Sequence, residues 1–133
     1  MTRSTPQAIT TTQAPAAIGA YSQAVRTDGL VFVSGQLPVD PATGKIEATD
    51  AASQADRAIS NIEAILAQAG LTLSNVVKTT VLLADIADFA AVNQAYAARF
   101  VTEPKPARAA FQVAALPLGA LVEIEAIAWA DEH

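Results

Sequence analysis

Residues Leu121 to Ala130 alternate strictly, and this alternation limits the fold more than any other stretch. Successive side chains of a strand point to opposite faces. One face here carries Val122, Ile124, Ala126 and Ala128, which suit a packed interior. The other carries Leu121, Glu123, Glu125, Ile127 and Trp129. Two glutamates framed by Leu, Ile and Trp do not make an open solvated face. They match the wall of a subunit interface with polar positions set into it. The segment therefore calls for a sheet with helices on one face and water or a partner on the other.

The remaining segments fit such a sheet. Ala8–Thr12 reads as a first strand. Ser22–Thr27 and Leu30–Gly35 flank Asp28-Gly29, a strong hairpin signal. Pro38–Gly44 is rich in turn residues and reads as a loop. Ile59, Ile62, Ile65, Leu66 and Ala69 form one helical face, which predicts a helix from Thr49 or Asp50 to Gly70. Gly70 suits the position just past a helix end. Asn75–Ala84 is β-branched and nearly all apolar, the pattern of a buried central strand. A second helix over Ile86–Phe100 places Phe89, Val92, Tyr96 and Phe100 on one stripe. After a loop over Thr102–Pro106 comes a strand over Ala107–Val113. The order β-β-β-α-β-α-β-β predicts an α+β fold, a mixed sheet with two helices packed on one face. Residues 1–133 suit a single domain, large enough to fold without disulfide or metal.

Composition narrows the chemistry. There is no cysteine, which excludes disulfides, thiolate metal sites and a cysteine nucleophile. The only histidine is the terminal His133, so histidine bases, triads and metal sites are set aside. No metal and no cofactor is expected. Thirteen acids oppose eight scattered bases, which argues against nucleic acid as a partner. Only 16% of residues are charged against 52% hydrophobic, which points to a homo-oligomer. No apolar run reaches the ~20 residues of a membrane span. Met1 to Gln13 has no apolar core of the secretory kind and reads as a polar lead-in, so a soluble cytoplasmic protein is expected.

Two polar residues stand out once histidine and cysteine are gone. In Ala107–Val113 one face carries Ala107, Ala109, Phe111 and Val113, the other Arg108, Ala110 and Gln112. If Phe111 and Val113 meet the helices, Arg108 shares a sheet face with Glu123, and the alanines around it leave room for a ligand. An arginine in a partly dry pocket can clamp a carboxylate through two parallel hydrogen bonds. A glutamate in an apolar setting can have a raised pKa and act as acid, base or holder of a water. On pattern alone, a salt bridge fixing register across an interface is the favoured reading. Glu125 reads as structural, Lys78 as an interface or snorkelling lysine, and Tyr96 as core packing. Ser34 has no histidine to activate it as a nucleophile. Tyr21, in a loop after Gly19, is the better aromatic candidate for lining a site.

Six motifs in order resemble the RidA/YjgF family of enamine and imine deaminases. They are Ile18-Gly19-Ala20-Tyr21-Ser22-Gln23-Ala24, Val31-Phe32-Val33-Ser34-Gly35-Gln36-Leu37-Pro38, Val76-Val77-Lys78-Thr79-Thr80-Val81, Asp88-Phe89 with Val92-Asn93 and Tyr96, Pro106-Ala107-Arg108, and Leu116-Pro117 leading to Gly119-Ala120-Leu121-Val122-Glu123-Ile124-Glu125. The resemblance runs from about Ala8 to Trp129. It implies a chorismate-mutase-like fold and a homotrimer with the sheets facing its centre and three sites between subunits. It implies hydrolysis, without a cofactor, of 2-aminoacrylate, 2-aminocrotonate and their 2-imino tautomers to 2-oxo acids and ammonia. It assigns carboxylate binding to Arg108 and catalysis to Glu123, with Tyr21, Ser34, Gly35 and Asn93 at or near the pocket. Ala20 replaces the family's usual proline, and Ala110 a cysteine that many members carry. The alternative is a non-catalytic member that binds small carboxylates or acts as a holdase.

Overall fold

The computed structural model describes residues 5–130, so His133 lies outside the described residues. Strands β1 (Gln7–Ile9), β2 (Ala24–Thr27) and β3 (Leu30–Gln36) come first, followed by the two-residue strands β4 (Val39–Asp40) and β5 (Lys45–Ile46). Then come α1 (Ala51–Gln68), β6 (Val76–Leu83), α2 (Phe89–Arg99), β7 (Ala107–Gln112) and β8 (Val122–Trp129). The main sheet runs β1-β2-β3-β8-β6-β7 and is antiparallel except for β6 and β7, which α2 connects as a parallel crossover. Both helices lie on one face of this mixed sheet, as the sequence predicts.

Local chemistry explains each boundary. Asp50 caps α1 by accepting from the Ser53 amide at 2.9 Å. Gly70, at φ +77°, ends it while its N–H donates to the Ala67 carbonyl. Ile59, Ile62, Ile65 and Leu66 are fully buried against β8 and β3. The predicted second helix is split. Ile86–Asp88 is a 3-10 turn, opened by the Asp85 side chain, and the α-helix proper begins at Phe89.

Two expectations need correction. The first strand is shorter than Ala8–Thr12, because beyond Ile9 a side chain replaces the pairing strand. The buried amide of Gln23 accepts from the Thr11 N–H at 2.7 Å and donates to the Thr11 carbonyl at 3.1 Å. The loop over Pro38–Gly44 contains a small ladder, Val39 opposite Ile46 and Asp40 opposite Lys45. The fully buried Asn61 of α1 donates to the carbonyls of Leu37 and Val39, both at 3.0 Å, and so fixes where this ladder leaves β3.

The alternation of β8 is realised as read. Val122, Ile124, Ala126 and Ala128 are buried under the helices. Glu123, Glu125, Ile127 and Trp129 lie on the other face, which no element among the described residues covers. Strand β6 is central but buried on one face only: Thr79, Val81 and Leu83 are inside, while Lys78, Thr80 and Leu82 face outward. Phe32, Phe111 and Trp129 leave 42%, 47% and 54% of their surface exposed on this outer face, a large apolar area for a small domain.

Candidate active site

The candidate residues fall into two groups. The first surrounds Glu123. Between Val33 and Gln36 strand β3 carries one residue more than its partner β8, since Val33 pairs with Ala126 and Gln36 with Ile124. Such a bulge re-aims the residues it contains. It brings Gly35 so close to Glu123 that a Cβ there would overlap Oε2 and sit 3.0 Å from Cδ. Only glycine leaves the carboxyl in this position. Ser34 is occupied structurally: its Oγ donates to the Ser22 carbonyl at 2.6 Å and its N–H to the Gln23 carbonyl at 2.9 Å. That pair of bonds docks the preceding loop on β3 and puts Tyr21 on the same cleft as Gly35. The cleft has a volume of about 640 Å³ and is lined mainly by apolar groups, including Ile18, Tyr21, Pro117 and Leu118.

Glu123 is half-buried. Loss of water around its carboxyl raises its pKa above the ordinary carboxylate value, and the neighbouring charge of Glu125 raises it further. Glu125 itself is exposed and accepts from the Thr80 hydroxyl at 3.4 Å. A carboxyl tuned in this direction can hold a proton nearer neutrality and pass it on.

The second group surrounds Arg108. Its guanidinium carbon lies 4.9 Å from the centre of the Tyr96 ring and 5.4 Å from that of Phe89. Its Nη1 donates to Asn93 Oδ1 at 2.7 Å. All three partners come from α2, spaced four and three residues apart, so one helix face builds the seat for one cation. Below it, the Tyr96 and Thr79 hydroxyls share a buried hydrogen bond of 2.7 Å. Burial raises the Tyr96 pKa, while the Thr79 bond and the Arg108 charge oppose the rise.

Arg108 and Glu123 therefore do not share a sheet face, and the expectation that they do is corrected. Arg108 pairs with Thr79, whose side chain is inside, on the helix face. Glu123 and Phe111 both pair with Leu82, on the open face. The expectation rested on Phe111 packing under the helices, and Phe111 points the other way. Asn93 joins Arg108; Tyr21 and Gly35 join Glu123. Reading from the sequence also missed Phe89 and Tyr96 as the seat of Arg108, because an aromatic stripe on a helix is ordinarily core. Among the described residues no group of three or more His, Asp or Glu is placed to hold a metal ion. No helix among them is long and apolar enough to cross a membrane.

Comparison with known proteins identifies the family. A family model described as endoribonuclease L-PSP matches residues 11–130. The chain is 55% identical over 120 residues to a 2-iminobutanoate/2-iminopropanoate deaminase of Rattus norvegicus, covering 90% of this chain and 87% of the relative. It is 54% identical over 119 residues to the RutC family protein y4sK of Sinorhizobium fredii, covering 90% and 94%. Among solved structures, the Rid family protein YyfA of Yersinia pestis superposes with a TM-score of 0.92 at 44% identity, over 95% of this chain and all of that one. TdcF of E. coli with bound serine superposes with a TM-score of 0.88 at 42% identity, over 94% and 99%. With the match spanning nearly the whole domain and the fold the same throughout, this chain belongs to the RidA/YjgF family.

Proposed function

We propose that this chain hydrolyses 2-imino acids and their 2-enamino tautomers, 2-iminopropanoate and 2-iminobutanoate among them, to 2-oxo acids and ammonia. It does so as a homotrimer whose sites lie between copies, with Arg108 and Asn93 of one copy facing Tyr21, Gly35 and Glu123 of another. The observation that carries this reading is the division of the polar residues into two half-sites on opposite faces of the sheet. Each half lacks what the other has: a cation for a carboxylate on one side, and on the other a proton-handling acid beside Gly35, which lines an apolar cleft. The open apolar face supplies the contact that would bring them together. The relatives named as 2-iminobutanoate/2-iminopropanoate deaminases, and the serine held by TdcF, favour an amino-acid-like substrate.

The chemistry needs little else. Arg108 has one N–H committed to Asn93 and its plane set by two rings, so its fork is ordered before substrate arrives. A fixed fork loses little entropy on binding a carboxylate. Water adds to C2 of the imine and forms a carbinolamine, with Glu123 taking a proton from that water. Glu123 then returns the proton to nitrogen, and next carries the hydroxyl proton of the carbinolamine to the same nitrogen. The C2–N bond breaks, ammonia leaves, and the C2 oxygen becomes the carbonyl of the 2-oxo acid. Imine and water are the only reactants consumed. A carboxyl whose pKa lies above the ordinary range suits both transfers.

A coupled assay tests the reading. Threonine or serine dehydratase generates the imine in the presence of semicarbazide, and 2-oxo acid formation is followed with and without this protein. Acceleration is expected. A rate equal to the uncatalysed one sinks the deaminase reading and leaves carboxylate binding as the alternative.

A further inference from the structure

Leu118 adopts a backbone conformation that its residue type disfavours. Its φ is +61°, in the turn Pro117–Gly119, and it is the only non-glycine residue with positive φ among those described. A Cβ crowds the backbone there, which is why turns of this kind usually use glycine or asparagine. Within one chain the strain is not offset by burial, because the side chain is 72% exposed. Neither the turn nor the core accounts for a leucine at this position.

What the leucine overlooks does account for it. Leu118 lines the cleft of about 640 Å³ that Gly35, the neighbour of Glu123, also lines. The same cleft is lined by Ile18, 87% exposed, and Tyr21, 53% exposed. This Ile18–Tyr21 segment is also held in shape: the Ile18 N–H donates to Tyr21 Oη at 3.4 Å, and Gly19 between them takes φ +123°. Within one chain, three large apolar side chains thus stand exposed around one cleft that the glycine beside the candidate acid also lines.

We propose that Leu118 and Ile18 form a side-chain subsite that makes this protein select 2-imino acids with branched or bulky apolar side chains over those bearing methyl or ethyl. This rests on the deaminase reading and specifies its substrate. A 2-imino acid has three parts to place. The carboxylate goes to Arg108 and C2 to Glu123, which leaves the side chain to the apolar lining of the cleft. A methyl group leaves most of that cleft to water, whereas an isobutyl or benzyl group fills it. Each methylene fully buried is worth about fourfold in binding. The three extra carbons of an isobutyl group then give about tenfold to sixtyfold, the lower figure applying where the cleft stays partly open.

The test compares 2-imino-4-methylpentanoate with 2-iminopropanoate, made in situ from leucine and alanine by an amino-acid oxidase, with semicarbazide as competitor. Calorimetry with the stable products, 4-methyl-2-oxopentanoate and pyruvate, runs in parallel. The wild-type protein is expected to favour the larger imine in kcat/KM by about tenfold or more. Leu118→Gly is expected to reduce that ratio at least fivefold, with a Tm no lower than wild type because glycine takes φ +61° freely. Equal kcat/KM for the two imines, or a Leu118→Gly variant that keeps the ratio, overturns the subsite and leaves deamination standing. A large fall in Tm in that variant overturns it too, by making Leu118 a structural residue. If neither imine is turned over, the deaminase reading fails, and the subsite is then decided by calorimetry: equal affinity for the two oxo acids refutes it.

Discussion

Gly35→Ala perturbs the candidate acid without touching it chemically. A Cβ at this position would overlap Glu123 Oε2 and lie 3.0 Å from Cδ and 3.4 Å from Cγ. Carbon atoms in good contact sit about 3.5–4.0 Å apart. The carboxyl carbon must therefore retreat by at least about 0.5 Å, and the oxygen beyond it by roughly 1 Å. The atoms that must move are the far end of a flexible side chain, so the backbone can stay where it is. Alanine also has less freedom than glycine in the unfolded chain, a gain of about 0.4–1 kcal/mol that offsets the new crowding. Stability should change by less than about 1 kcal/mol, or about 4 °C in Tm for a domain of this size. Activity should fall much further, because a catalytic group displaced by about 1 Å costs on the order of a hundredfold. The dehydratase-coupled assay and a thermal melt on the same preparation read both quantities. Activity within about threefold of wild type would refute the claim that the glycine keeps the carboxyl in place. A collapse in Tm would refute the claim that only the carboxyl has to give.

Other consequences follow from the same contacts. Because loss of water and the Glu125 charge both raise the Glu123 pKa, Glu125→Gln should shift the Glu123-dependent limb of the pH–rate profile to lower pH, with the maximal rate little changed. The raised pKa means the folded protein holds the Glu123 proton more tightly than the unfolded chain does. Stability from this group is therefore full at low pH and is lost as pH rises from the ordinary carboxylate range through the raised value, and Glu123→Gln should abolish that decline in pH-dependent melts. Tyr96→Phe should cost about 1–2 kcal/mol by stranding the buried Thr79 hydroxyl while keeping the ring under Arg108, and Thr79→Val added to it should cost less than the sum of the two in chemical denaturation. Asn61→Ala should cost about 2–4 kcal/mol in the same experiment, since it leaves the Leu37 and Val39 carbonyls without their donor.

Much of this fold was legible because its strongest patterns are local. The β8 alternation, the Asp28-Gly29 hairpin and the buried face of α1 each follow from spacing alone. The orientation of β7 was not legible, and with it the relation of Arg108 to Glu123. Three of the six β7 residues are alanines, which suit either face, so the reading depended on Phe111 as a marker of the interior. On an edge strand beside an uncovered apolar face a phenylalanine need not be inside. An arginine can be on the helix side where aromatic rings and an amide receive its head, as Phe89, Tyr96 and Asn93 do. The Leu118 conformation was equally hidden, since nothing in Pro117-Leu118-Gly119 as written requires a positive φ at its middle residue.

The central claim is that Arg108 and Glu123 act together although one chain holds them on opposite faces of its sheet. Mixed oligomers test it most directly. Arg108→Ala and Glu123→Gln are each expected to be nearly inactive alone. Unfolded and refolded together in equal amounts, they form trimers in which every mixed assembly keeps one intact site of three, so random association should restore about one quarter of wild-type activity. Full inactivity of the mixture, with exchange of subunits verified by mass spectrometry, would contradict a site shared between copies.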